Sequence, residues 1–397
     1  MIDMIYQRGT SPSGTYRLWK DQQKNPELII MRFECNKNDL CSAIAHVSKG
    51  VSQKSTIAAL EGICVQMQQG AVVLTGYDLE IGIRTSVPAE CTDEFSFVLN
   101  ARLFSEMTRR MTGERVVFEI DETLNARIAS ENTEYRISAM SAEEFPELPV
   151  VETTQKTAVA QPILRSMIQQ SSFAASVKED KPILTGELFE SGEDMFYVVA
   201  MDRYRLAMRQ EKIAEMGTFR FVVPKKALSE LIMLLKDDAE TPCEFATNGK
   251  HIVFSVNGFE MFARLLEGQF HNFRSSIPSD AKTEVIMNTR DMIGCAERCA
   301  LLINEKNKAP MRCVFADGFM EISCKTGIGV INDRIPADIR GESVTIGFSN
   351  KYLLEALRAC ECDKVKLHMS GCNKVIKITP MDGESFVYLI MPIQLKG

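Results

Sequence analysis

One pattern of apolar and polar residues occurs three times along the chain, beginning at Phe97, Phe221 and Ile346. The copies read FVLNARLFSEMTRRM, FVVPKKALSELIMLL and IGFSNKYLLEALRAC, and successive copies start 124 and 125 residues apart. Each opens with a short apolar strand, followed by a residue favoured at a helix start: Asn100, Pro224 and Ser349. Apolar positions then coincide, which predicts three helices burying the same face through Phe104, Leu228 and Leu353, and then Met107, Leu231 and Ala356.

Further landmarks keep the same register. Polar turn residues recur every 125 positions, at Asn132, Asn257 and Asp382. Gly258 and Gly383 follow the last two, and Asn-Gly or Asp-Gly between alternating strands predicts a tight type I′ hairpin. The phrases EEFPELP and GQFHNFR also lie 125 residues apart and are interpreted as exits from one domain into the next. An additional helix per copy is predicted from NDLCSAIAHV, QPILRSMIQQ and TRDMIGCAER, the last of which drifts slightly in register.

These repeats predict an α+β protein built from three tandem copies of one domain, at residues 31–150, 151–276 and 277–397. Near-equivalent domains tend to pack through near-equivalent interfaces, which generates a curved or closed array. Residues 1–30 lie outside the repeat and carry Gly, Ser, Pro, Gln and the single Trp19. We expect this extension to be a disordered tail or to follow an upstream start codon, with Met31 beginning the folded protein.

Composition limits the class of protein. Lys and Arg total 46 against 53 Asp and Glu, so the net charge is -7, which excludes a uniformly basic surface but permits a local basic stripe. No apolar run reaches the roughly 20 residues that a membrane-spanning helix needs. The start of the sequence has no unbroken apolar segment typical of a secretory signal. A cytoplasmic protein without membrane partners is therefore expected.

Motifs for catalysis or cofactor binding are missing. The chain has no phosphate-binding loop, no nucleophile elbow and no H-E-x-x-H pair, and TGIGVIND at Thr326 is not a full dinucleotide fingerprint. Its 12 cysteines form no paired C-x-x-C knuckles and it has only 4 histidines, so reduced thiols are expected rather than a metal site or disulfides. We predict a binding protein with no catalytic residues, no metal and no cofactor.

Two other interpretations stay open at this point. The three domains could form a scaffold that never closes into a ring. The chain could also be a divergent enzyme using Asp78 and Asp202, which recur 124 residues apart. Equivalence across repeats favours a shared structural role for these carboxylates, such as a turn contact.

A basic residue recurs in the first turn of the three aligned helices, at Arg102, Lys226 and Lys351. A cation there opposes the helix dipole at a cost of about 0.3–1 kcal/mol. Its recurrence at an unfavourable position suggests attraction to an anionic partner, although a solvated helix face is an equally good explanation. Phosphate contacts from such residues would bind DNA by charge, without sequence preference.

From Met31 onward the chain resembles the beta sliding clamps, the beta subunits of bacterial DNA polymerase III. The resemblance is carried by MRF at Met31, LTGYDLEIGI at Leu74, FPEL at Phe145, VAMDRYRLA at Val199, FVVPKKALSEL at Phe221, NEK at Asn304 and YLIMPIQL at Tyr388. It implies a homodimer of three-domain chains joined head-to-tail into a ring, with helices lining the hole and antiparallel sheets outside. Such a ring encircles duplex DNA, slides on it and tethers the polymerase. The implied partners are double-stranded DNA, a second copy of the chain, the polymerase alpha subunit, the clamp loader, and other polymerases and repair proteins.

The resemblance also implies two sets of site residues. DNA contacts would come from Lys54, Lys178 and Lys181, in addition to Arg102, Lys226 and Lys351. A pocket between the second and third domains would hold a short partner peptide through Leu184, Arg205, Leu206, Tyr352, Met391, Pro392 and Leu395, with apolar equivalents at Val375, Leu389, Ile390 and Ile393. Family members usually carry a small residue and His at Arg203 and Tyr204, and often Pro at His271, which leaves the peptide preference open. Arg205 would either fix the peptide or form an internal ion pair.

Overall fold

The computed structural model describes residues 30–152, 156–178, 180–214, 216–303 and 309–395. The predicted extension thus lies outside the described residues except for Ile30, which begins the first strand and pairs with Asp121. The chain forms two compact units: one contains residues up to 48, 52–74 and 86–145, and the other contains residues 49–51, 75–85 and 146 onward.

The described residues contain helices and strands in three successive sets. The first set is β1 (Ile30–Asn36), α1 (Lys37–Val47), β2 (Gly62–Gln68), β3 (Ala71–Tyr77), β4 (Ile81–Cys91), β5 (Phe95–Asn100), α2 (Ala101–Arg110), β6 (Arg115–Asp121), β7 (Asn125–Ser130), β8 (Thr133–Ser138) and β9 (Met140–Ser141). The second is β10 (Thr157–Ala160), α3 (Gln161–Gln169), β11 (Gly186–Gly192), β12 (Met195–Met201), β13 (Arg205–Lys212), β14 (Phe219–Pro224), α4 (Lys225–Leu234), β15 (Pro242–Thr247), β16 (His251–Val256) and β17 (Phe259–Arg264). The third is β18 (Thr283–Asn288), α5 (Thr289–Ala300), β19 (Met311–Ala316), β20 (Phe319–Thr326), β21 (Gly329–Pro336), β22 (Asp338–Gly341), β23 (Val344–Phe348), α6 (Asn350–Ala359), β24 (Lys364–Met369), β25 (Ile376–Pro380) and β26 (Phe386–Ile390).

In the first unit, β1 lies between β4 and β6, and β7 and β8 continue this antiparallel sheet. Apolar residues alternate along β1, so one face of the strand is buried. Phe33 of that face stacks on Phe118 with ring centroids 4.4 Å apart. Phe104 of α2 meets Phe118 edge-on at 5.6 Å, which joins the helix to the sheet.

The second unit joins the second and third sets through one continuous antiparallel sheet, in the order β14-β11-β12-β13-β26-β25-β24-β18-β22. The junction is the pairing of β13 with β26, in which Leu206 lies opposite Leu389. A separate sheet has the order β21-β20-β19-β23. Because β13 and β26 share backbone hydrogen bonds, these two sets form one compact unit.

The predicted helical repeat is confirmed. The helices α2, α4 and α6 begin at Ala101, Lys225 and Asn350, and each has 10 residues. The six predicted apolar positions are all buried. Asn100 and Ser349 accept the backbone N–H of Leu103 and Tyr352 as N-caps, whereas Pro224 precedes its helix without such a bond.

One of the two predicted type I′ hairpins forms. Asn257 and Gly258 connect β16 to β17 with φ of 52° and 80°, as a type I′ turn requires. Glu131 and Asn132 also make a two-residue connection. The prediction of a tight hairpin at Asp382–Gly383 was wrong: β25 and β26 are separated by residues 381–385, and only Gly383 of this pair has positive φ, at 66°. This longer loop is held from β13, since Gln210 donates its backbone N–H to Ser385 O at 2.9 Å and its side-chain amide to Glu384 O at 2.8 Å.

Candidate functional sites

The predicted recurring cations occupy one helical position. Arg102, Lys226 and Lys351 are each the second residue of their helix and are exposed. None of the three helices has an acidic residue in its first turn. Each helix therefore presents a cation together with the positive end of its dipole.

The three cations differ in their surroundings. Lys226 Nζ lies 2.7 Å from Asp78 Oδ2. Asp78 Oδ1 also accepts the backbone N–H groups of Glu80 at 3.0 Å and Ile81 at 2.6 Å. The carboxylate thus closes a turn and partly balances the charge of Lys226.

Asp202 makes the same turn contact one repeat later. Its Oδ1 accepts the backbone N–H groups of Tyr204 at 2.7 Å and Arg205 at 3.0 Å. The two recurring carboxylates therefore share a structural task, which removes the geometric basis for treating them as a catalytic pair.

The other predicted DNA-binding lysines lie on irregular segments and are exposed. Lys54 belongs to the first unit, and its carbonyl accepts the Ser52 hydroxyl at 3.1 Å. Lys178 and Lys181 belong to the second unit, in the loop before the short 3-10 turn Pro182–Thr185. Lys181 O accepts the backbone N–H of Leu184 at 3.0 Å, which ties the loop to the candidate peptide site.

Strand alternation divides the predicted peptide-binding residues between two faces of the β13–β26 sheet. Leu206 and Leu389 pair across the strands and pack with Leu184 and Val375 on one face. The neighbouring pair, Arg205 and Ile390, points the other way, and Ile390 packs in the cluster that includes Tyr352.

Arg205 has the internal ion pairs that were one of its two interpretations. Its side chain is only 8% exposed and forms ion pairs with Asp202, at 3.1 Å, and Glu355. The guanidinium also lies 4.5 Å from the ring centroid of Tyr352 and 5.6 Å from that of Phe173. The positive charge of Arg205 is therefore balanced by carboxylates within the protein.

The segment that follows β26 completes the candidate peptide site. Met391 donates its backbone N–H to Tyr204 O, and Ile393 donates to Gly347 O, both at 2.8 Å. A Cβ on Gly347 would lie 2.3 Å from Ile393 O, so a glycine is needed for this approach. Met391 and Ile393 remain 44% and 38% exposed, whereas Pro392 and Leu395 are half-buried. The segment therefore offers apolar side chains to solvent.

Sequence reasoning treated Tyr204 only as a departure from the family pattern. Tyr204 is 55% exposed, and its ring stacks on Tyr352 with centroids 6.1 Å apart. A large aromatic residue in a tight turn, where small polar residues are usual, was the signal that could have found it. Phe270 and Phe273 were also missed, and they belong to the same buried apolar cluster as Leu206 and Leu389.

Two depressions lie elsewhere and include none of the predicted residues. One of about 670 Å³ is lined by charged residues that include Arg115 and Arg127, and one of about 480 Å³ by residues that include Arg312 and Arg334. Arg115 and Arg127 are already engaged by glutamates. Within the described ranges, no group of His, Cys, Asp and Glu side chains is arranged to hold a metal ion, and no helix is long and apolar enough to cross a membrane.

Sequence models of the DNA polymerase III beta subunit match the chain in three consecutive parts. The N-terminal domain matches residues 31–149, the central domain residues 158–272 and the C-terminal domain residues 274–394. The chain belongs to the DNA polymerase III beta subunit family.

Relatives and solved structures agree with this assignment. The beta sliding clamp of Bacillus subtilis is 31% identical over 377 residues, which cover 92% of this chain and all of the relative. The crystal structure of the Bacillus subtilis sliding clamp gives a TM-score of 0.90 at 30% identity, covering 93% of this chain and 100% of that one. A beta subunit structure from Eubacterium rectale gives 0.88 at 30% identity, covering 91% and 99%.

Family membership confirms several predictions made from the sequence. The fold is three tandem α+β clamp domains. The chain is a DNA polymerase processivity factor and not an enzyme. Its partners are DNA, a second copy of itself and the replicative polymerase together with other clamp-binding proteins.

Proposed function

We propose that two copies of the chain close head-to-tail into a ring around duplex DNA. In each copy, we propose three domains, at residues 31–150, 151–276 and 277–397. The observation that carries the proposal is the exposed cation at the second position of α2, α4 and α6, in a chain of net charge -7. Equivalent cations on equivalent helices suit a positive inner surface inside an acidic exterior.

DNA contacts are proposed for Arg102, Lys226 and Lys351 on the helices and for Lys54, Lys178 and Lys181 on the loops. All six side chains are exposed. Lysine and arginine contacts to phosphates release counterions and carry no sequence information, so they hold the ring weakly enough to slide. Topology, rather than affinity, then keeps the ring on DNA in the cytoplasm, at the nucleoid.

Ring closure is proposed through β8 of one copy and β21 of the other. Each is the last strand of its sheet, so each has backbone groups available for a further strand. Val330 of β21 is 59% exposed, and Ile328, just before the strand, is 60% exposed. Leu301, which follows the helix α5 that packs against β21, is 78% exposed. An exposed apolar patch beside a free strand edge is typical of a protein interface.

Light scattering tests this assembly. The wild type should have about twice the 44.5 kDa mass of the chain. The double variant Leu301→Asp, Ile328→Asp should be a folded monomer, because both side chains are exposed and the charges oppose burial. Met233→Asp is the matched control, since Met233 is 65% exposed on α4 and should leave the dimer intact. A dimeric double variant would place the interface elsewhere.

We propose that the partner peptide binds on one face of the β13–β26 sheet and along the segment that follows β26. The residues of that face are Leu184, Leu206, Val375 and Leu389, and those of the segment are Met391, Pro392, Ile393 and Leu395. Arg205, Tyr352 and Ile390 support the site from the other sheet face. Burying a leucine and an aromatic anchor supplies roughly 1.5–3 kcal/mol each before ordering costs, which favours micromolar affinity and rapid exchange of partners. The variant Leu206→Ala, Met391→Ala should stay dimeric and load onto DNA but lose the peptide in a fluorescence titration. Unchanged peptide affinity would exclude this surface.

A further inference from the structure

We propose that Tyr204 determines which partner peptides are accepted, by offering its exposed ring as a stacking surface for an aromatic side chain of the peptide. The inference rests on the proposed peptide site and concerns the chemistry of its preferred ligand.

Tyr204 belongs to a cluster of planar groups at the edge of the site. Its ring stacks on Tyr352, with centroids 6.1 Å apart and an angle of 23° between the planes. The Arg205 guanidinium lies 4.5 Å from the Tyr352 centroid and 5.6 Å from the Phe173 centroid. Tyr352 is half-buried and Arg205 is buried, whereas Tyr204 is 55% exposed. Tyr204 is thus the member of the cluster that solvent, or a ligand, reaches most readily.

The backbone of Tyr204 is fixed on both sides. Its N–H donates to Asp202 Oδ1 at 2.7 Å, and its carbonyl accepts the N–H of Met391 at 2.8 Å. The backbone of Tyr204 is therefore anchored to that of Met391, and its ring rests on Tyr352, before any ligand arrives. A preorganised aromatic surface loses little freedom on binding.

The internal repeat provides a comparison that separates folding from recognition. In the β3–β4 turn, Glu80 takes the place of Tyr204 and accepts the N–H of Arg264 at 2.9 Å through its carbonyl. One repeat before Tyr352, the helical position is Ala227. The same turn and backbone bond thus form without either aromatic ring. The Tyr204–Tyr352 pair is not required by the fold, which favours a role in binding.

Charge also points to an aromatic ligand group. Arg203 forms an ion pair with Asp180, and Arg205 is neutralised by Asp202 and Glu355. The nearby cations already have anionic partners, so a peptide carboxylate gains little from them. An aromatic side chain can stack on Tyr204 while its neighbouring leucine contacts the apolar residues of the site.

A double-mutant cycle between the full-length protein and its ligand tests the inference. Two short fluorescein-labelled peptides would be titrated, one containing Leu-Phe and one with Leu-Leu at the same positions. We expect the wild type to prefer the Leu-Phe peptide, and Tyr204→Ala to reduce that preference by roughly three- to tenfold while affecting the Leu-Leu peptide little. Tyr204→Phe should retain the preference because its ring can still stack.

Glu80→Ala is the matched control at the equivalent turn and should change neither affinity. A Tyr204→Ala variant that keeps the full wild-type preference, or that weakens both peptides equally, would overturn the inference while leaving the peptide site in place. If Leu206→Ala, Met391→Ala binds both peptides as the wild type does, the proposed site itself is wrong and the inference falls with it.

Discussion

Lys226 and Asp78, which are 148 positions apart in sequence, form an ion pair with 2.7 Å between Nζ and Oδ2. No such carboxylate partner is found within the described residues for Arg102 or Lys351. The three cations share a helical position but not an electrostatic environment. They should therefore contribute unequally to DNA binding.

Alanine substitutions should reveal this difference in the salt dependence of binding to linear duplex DNA. Removing one phosphate contact lowers the slope of log K against log salt by about 0.9. Arg102→Ala and Lys351→Ala should each approach that value, whereas Lys226→Ala should change the slope less, because Asp78 already balances part of its charge. Equal changes for all three would show that the ion pair opens freely when DNA binds.

Glu187 should make folding stability depend on pH. Its carboxyl is fully buried and accepts hydrogen bonds from the hydroxyls of Ser171, at 2.5 Å, and Ser172. Burial raises the pKa of Glu187 from 4.5 to about 7, against the opposing effects of both hydroxyls and Lys225. Between those values the native state holds a proton that the unfolded state has released, so stability falls as pH rises.

The measurement is the free energy of unfolding of the wild type and Glu187→Gln at several pH values. The difference between the two proteins should shift in favour of the variant as pH rises from about 4.5 to 7, by no more than about 1.4 kcal/mol per pH unit, and then level off. A difference that is constant across this range would show that Glu187 titrates normally.

Removing the Arg205 side chain should lower the free energy of unfolding more than removing that of Arg203, which is exposed. Arg205→Ala would leave Asp202, which is 16% exposed, and Glu355, which is 33% exposed, without their cation. We expect a loss of about 2–3 kcal/mol in the free energy of unfolding, below the range for fully buried pairs because Glu355 is partly solvated. Arg203→Ala breaks only the exposed pair with Asp180 and should change stability by less than about 0.5 kcal/mol. Urea denaturation measures both changes, and a similar loss of unfolding free energy in Arg205→Ala and Arg203→Ala would contradict this account.

The parts of the structure that could be predicted from the sequence are those set by local periodicity. The buried face shared by Phe104, Leu228 and Leu353 repeats at helical spacing, and Asn257–Gly258 forms the turn that its backbone preferences favour. The connection at Asp382 could not be predicted, because contacts from Gln210, in the preceding repeat, hold the longer loop.

The candidate sites were predictable in outline but not in detail. Strand pairing separates Leu206 from Arg205. The partner of Lys226 lies 148 positions away, and one of the two partners of Arg205 lies 150 positions away. Such contacts depend on how distant strands meet, which no local pattern encodes. The stacking of Tyr204 on Tyr352 is of the same kind.

Retention on circular DNA tests the central claim most directly. The protein would be loaded by a clamp loader onto nicked circular duplex, isolated by gel filtration, and measured before and after a restriction enzyme linearises the circle. A closed ring should stay on the circle at a salt concentration that abolishes binding to linear duplex, and should leave once free ends are made. Retention that is unchanged by linearisation would contradict encirclement and favour a scaffold that contacts DNA without enclosing it.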